Sequence, residues 1–159
     1  MKLYLVGGAL IMAACATFQA RPRRPAGHLQ LSPALGTCDL DAYMRLGVLE
    51  PGAARPVHQD SADTKAEIIY GPQLSYPDAL RSRGVQGGVR IAGVVKADSL
   101  MYGLVVVSMD QEKFAAAAAS YLNDARFRPG TKGGRAVDTF VCIPVNFKIV
   151  RSRVPPPPY

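Results

Sequence analysis

Phe140-Val141-Cys142-Ile143-Pro144-Val145-Asn146-Phe147-Lys148-Ile149 is the stretch that decides the fold class. Val141, Ile143, Val145, Phe147 and Ile149 occupy every second position. Successive side chains of a strand point to opposite faces, so the odd positions read as the core face of a β-strand. Pro144 has no N–H to give to a ladder, which puts the strand near a sheet edge or turns that position outward. Cys142 then falls on the outer face.

Upstream of this strand the period changes. Phe114, Ala117, Ala118, Tyr121, Leu122 and Ala125 recur at helical spacing, which predicts a helix over about residues 111–126. Its alanine run favours helix and allows close packing on a sheet. Ser108 or Asp110 is the expected cap, with Gln111 three residues after Ser108 as in a capping box. Pro129-Gly130 ends the pattern. Before the helix, residues 89–97 and 104–108 read as two strands of a hairpin, with 98–103 as the turn. Pro77 suits the first position of a short helix over 77–83, and Gly84 suits its end. These elements predict an α+β fold: a small three-stranded antiparallel sheet with one short and one longer helix.

The flanks have a different texture. Lys2 precedes an uncharged stretch over 3–20. Its length fits a cleaved export signal, and as a whole it also just suffices to span a bilayer. Met12-Ala13-Ala14-Cys15 resembles a lipobox, which makes Cys15 a candidate for lipidation. The cluster Arg21-Pro22-Arg23-Arg24 would lie on the outer side of an anchor, against the positive-inside tendency, and so favours a lipoprotein or a cleaved signal. Residues 21–65 read as a Pro/Ala/Arg-rich linker with, at most, a turn of helix over 40–46. Residues 66–150 form the domain, and 151–159 a Pro-rich tail of polyproline II character. An exported compartment permits a bridge between Cys38 and Cys142, which would pin the linker across the outer face of the last strand. A free, partly covered thiol at Cys142 is the alternative.

Composition and motifs argue against several chemistries. The net charge is +7, but the basic residues are scattered and no basic helix is seen, which speaks against a nucleic-acid partner. His28 and His58 both lie in the linker, so the domain lacks a His base or a His metal ligand. Cys142 has no basic neighbour in sequence to make it a thiolate nucleophile. Asp60 and Asp63 are followed by no calcium-loop pattern. The glycines at 84–88 and 130–134 are not phosphate loops; the second group leads through Arg135 into a strand. The sequence therefore predicts no enzyme, no cofactor and no metal.

Tyr76-Pro77-Asp78-Ala79-Leu80-Arg81-Ser82-Arg83-Gly84-Val85-Gln86-Gly87 resembles the opening motif of TonB C-terminal domains. Asp98 stands where that family has an Asp-Gly turn, with Ser99 in place of the Gly. Arg126-Phe127-Arg128-Pro129 resembles the end of the family's long helix, with Ala125 where a Trp often precedes it. Ile143-Pro144-Val145-Asn146-Phe147 resembles its final strand. The resemblance spans about 70–150, and its motif positions are Tyr76, Pro77, Gly84, Gly87, Arg126, Phe127 and Pro129.

The resemblance implies a binding module on the periplasmic side of a Gram-negative envelope. The chain would be held there by lipid at Cys15 or by an anchor, or be soluble after cleavage. In the family, a TonB box peptide of an outer-membrane TonB-dependent receptor pairs with the final strand, in support of transmembrane transport. Carried over, the peptide-binding edge is Val141, Cys142, Ile143, Pro144, Val145, Asn146 and Phe147. A second copy of the chain, giving a homodimer, or the linker could occupy the same edge. The resemblance also brings in the ExbB–ExbD proton-channel complex, but segment 3–20 has none of the His or Ser residues of energy-transducing anchors. The alternative function is an envelope lipoprotein with a structural or peptidoglycan-binding role and no energy transduction.

Overall fold

A computed structural model describes residues 35–150. The expected export segment, Cys15, the first part of the expected linker and the Pro-rich tail lie outside the described residues.

The central sheet is built on two long antiparallel pairings. Strand β3 (Gly87–Val95) lies between β4 (Met101–Met109) and β8 (Thr139–Phe147). The β3–β8 ladder runs without interruption from Gly87 opposite Phe147 to Val95 opposite Thr139. A fourth strand, β1 (Val57–His58), adds in parallel to the start of β8, opposite Thr139 and Phe140. The order is thus β1-β8-β3-β4, which corrects the expected three strands to four. The extra strand could not be foreseen from a two-residue segment with no pattern of its own.

The long helix α3 (Glu112–Asp124) covers one face of the sheet. Phe114, Ala118, Leu122 and Ala125 are buried there with Val89, Ile91, Val141, Val145 and Phe147, so the odd positions of β8 face this core. Burying each such aliphatic or aromatic side chain contributes about 1.5–3 kcal/mol. The predicted cap is not used. The N-cap is Gln111, with no side-chain cap bond, and Ser108 lies within β4. The Asp110 carboxylate instead accepts from the Gly88 N–H at 2.7 Å, tying the start of the helix to the start of β3. The helix stops at Asp124. Ala125 is already extended (φ −67°, ψ 157°), and Arg126–Arg128 forms β5. Its partner is β2 (Glu67–Tyr70), antiparallel, with Ile68 opposite Phe127. A further ribbon, β6 (Thr131–Lys132) with β7 (Arg135–Ala136), turns on Gly133 and Gly134, whose φ of 59° and 72° a side chain would resist.

The opposite face is also covered, by residues 35–49 of the stretch 21–65 that reads as linker. Helix α1 (Leu40–Arg45) begins on Asp39, whose carboxylate accepts from the Ala42 N–H at 2.6 Å. Its Tyr43 is completely buried, and Leu35 nearly so, against Ala92, Val94, Val105, Val107 and Phe140. On the even face of β8, Phe140 and Cys142 thus meet a second core where solvent was expected, while Pro144 and Asn146 are exposed. Arg55 pairs with Asp41, and its guanidinium holds that carboxyl below the usual carboxylate range. The Cys38 and Cys142 sulfurs are bonded, with Cα atoms 6.0 Å apart, which pins this segment to β8. The molecule is a three-layer stack of α1, sheet and α3, with the short α2 (Asp78–Arg81) beside the second core-forming helix.

Candidate functional site

The segment that opens the family motif serves as a brace. Pro77 is the N-cap of α2 (φ −61°, ψ 121°) rather than its first helical residue, and the helix ends two residues short of the expected 83. Gly84 takes φ 68° just after it, the left-handed turn a Gly permits. The Tyr76 hydroxyl donates to the Val85 carbonyl oxygen. Its ring stands edge-on to both Phe114 and Phe147, with centroids 5.6 Å away in each case. Phe114 and Phe147 themselves stack at 4.3 Å. A Cβ on Gly87 would come within 3.2 Å of the Phe114 ring and 2.9 Å of the Asp110 Cβ. Tyr76, Gly87 and Phe114 therefore lock the end of β8 against α3.

Strand β8 presents its outer edge. β1 occupies only the rungs at Thr139 and Phe140, where the Val57 N–H also donates to the Asp138 carbonyl at 2.8 Å. The chain then leaves the sheet in a 3₁₀ turn over Gln59–Ser61. From Val141 to Phe147 no strand among the described residues pairs with the outer edge. Backbone N–H and C=O groups on such an edge are a template for another extended chain. Pro144 supplies no N–H at one of these positions. On the inner side Val141, Val145 and Phe147 are buried in the α3 core and Ile143 packs against it, which holds the edge in strand geometry.

Next to this edge, on the α3 side, β2 forms a wall. A cleft of about 290 Å³ lies between them, lined by Gln59, Ala66, Glu67, Ile68, Phe127, Val141 and Ile143. The exposed Glu67 carboxylate takes a hydrogen bond from Arg128 at 3.0 Å. Phe127 is buried and forms the floor, while Arg126 is exposed. Every residue of β2 is exposed, and Ile69 and Tyr70 are 56% and 65% accessible. The run Ile68-Ile69-Tyr70 carries a strand signal in its β-branched and aromatic side chains, and it was the missed indication of this wall. All 12 acidic residues lie within 35–150, while Lys2, Arg21, Arg23, Arg24, Arg151 and Arg153 lie outside it. The positive excess is therefore in the flanks, and the edge itself carries no strong field.

The fold and edge describe a small α+β interaction domain with a strand left open. Residues 72–149 match the model of the family described as Gram-negative bacterial TonB protein C-terminal, and the domain in that segment belongs to this family. A solution NMR structure of the Pseudomonas aeruginosa TonB CTD is similar at 18% sequence identity and a TM-score of 0.47, covering 63% of this chain and 100% of that one. No curated protein matches the sequence. The family is one of non-enzymatic interaction modules, and no enzyme family is indicated. Among the described residues no helix is long and apolar enough to cross a membrane.

Proposed function

We propose that the chain is a TonB-like periplasmic binding module. Its β8 edge from Val141 to Phe147 pairs with TonB box segments of outer-membrane receptors and so supports TonB-dependent transport. The observation that carries the reading is the unpaired seven-residue edge within the family segment, braced from behind by Tyr76, Phe114 and Phe147. An added strand gains main-chain hydrogen bonds at little cost in ordering the domain, because the edge is already held in strand geometry. The module does no covalent chemistry of its own.

Attachment by lipid at Cys15 would leave the chain without a helix to reach the ExbB–ExbD complex, and it would then act as an adaptor. A retained anchor would allow direct coupling. The intact mass of the protein from its native membrane distinguishes these. For the edge itself, a peptide carrying a receptor's TonB box is titrated into the ¹⁵N-labelled protein. Amide shifts centred on 141–147 and their β3 neighbours are expected. Unchanged spectra at millimolar peptide would refute the assignment.

A further inference from the structure

We propose that the cleft between β2 and the β8 edge is a side-chain pocket that selects aliphatic residues at alternate positions of an extended peptide laid along β8. The inference rests on the edge-binding reading above and adds to it the chemistry of the ligand.

Residues directly opposite one another in a sheet project to the same face. Peptide residues opposite Val141 and Ile143 would therefore point to the α3 side, where those two side chains line the cleft. Residues between them, opposite Cys142 and Pro144, would point to the other face and miss it. The register has a physical stop. β1 already holds the rungs at Thr139 and Phe140, so an incoming strand can begin no earlier than Val141. That places the first alternate residue at the mouth of the cleft.

The lining then sets the selection. Ala66, Ile68, Phe127, Val141 and Ile143 are apolar, the one charged group, Glu67, is already paired with Arg128, and Gln59 is the one other polar side chain of the lining. A charged or strongly polar peptide side chain would lose water against a mostly apolar wall for little return. An aliphatic one would cover Ile68, which is now 39% exposed. The size agrees, because about 290 Å³ lies at the lower end of small-ligand clefts and suits one or two side chains rather than a whole ligand. Rejection by an unpaired polar group combined with gain from apolar cover is how such pockets discriminate.

The test uses the intact chain, ¹⁵N-labelled and solubilised in detergent. Two blocked heptapeptides serve as probes, one alternating Val and Thr, the other with Ser in place of each Val. Shifts along 141–147 report edge pairing, and shifts at Ile68 and Phe127 report the cleft. The Val peptide should bind at least about ten-fold more tightly than the Ser peptide. Ile68→Thr, which keeps a β-branched residue on an exposed strand, should remove most of that preference. Equal affinities for the two peptides, both shifting 141–147, would overturn the pocket and leave the edge reading standing. No shift along 141–147 with either peptide would overturn both.

Discussion

The Tyr43 hydroxyl donates to the Gly103 carbonyl oxygen at 2.8 Å, joining α1 to β4 across 60 positions of sequence. Gly103 has φ 59°, and a Cβ there would run into that same hydroxyl. The bond therefore requires both a phenol at 43 and the bare backbone at 103. Tyr43→Phe leaves a half-buried carbonyl without its donor and should cost about 0.5–1.5 kcal/mol. Gly103→Ala should cost at least as much, from the clash and the strained φ together. Urea unfolding curves check both, read as a lower midpoint at unchanged slope.

The same tyrosine predicts an alkaline limit. Burial pushes the Tyr43 phenol well above its ordinary value, because the phenolate would lose its hydration. The folded state thus holds its proton more tightly than the unfolded chain. That stability is fully present below the unfolded value of about 10 and is lost as pH rises beyond it. Tm measured between neutral pH and strongly alkaline pH should fall more steeply in the native chain than in Tyr43→Phe. Parallel curves would contradict it.

The bridge between Cys38 and Cys142 closes a loop across 104 positions and holds the N-terminal layer on β8. Replacing both cysteines by Ala should cost about 2–5 kcal/mol, the range for native bridges. Reduction of the native protein should lower its unfolding midpoint by a similar amount and should leave the double variant unaffected. An exported compartment is where such a bond persists.

Ser99 sits at φ 68° in the β3–β4 turn, the one non-glycine at positive φ among the described residues. Its N–H donates to the Lys96 carbonyl and its carbonyl accepts from Phe127, so the turn cannot relax away from this conformation. Ser99→Gly should relieve about 1–2 kcal/mol of left-handed strain. The greater freedom of unfolded Gly offsets about 0.5–1 kcal/mol of this. A net gain of about 0–1.5 kcal/mol is expected in chemical denaturation.

Much of this fold is legible in local pattern. The alternation in β8 places Val141, Val145 and Phe147 on the α3 side, and helical spacing places Phe114, Ala118 and Leu122 opposite them. Pro77 and Gly84 bracket the short helix because each restricts or frees its own backbone. The fourth strand and the β2–β5 ribbon are another matter. Val57-His58 has no period, and the helical pattern that reads on to about 126 stops at Asp124, where Ala125 turns extended and leads into β5. Asp110, an expected cap by sequence, is drawn off to Gly88 by a strand distant in the chain.

The sequence by itself determined the two periodic elements, the turn positions and the family of the segment 72–149. All of these are readable because they depend on neighbours a few residues apart. The tertiary structure alone decided that residues 35–49 pack as a layer, that Cys38 and Cys142 are bonded, and that the edge of β8 opens only beyond β1. The physical reason is the same for each. Their free energy comes from contacts between residues far apart in the chain, such as Tyr43 with Gly103, and no local period encodes such a meeting.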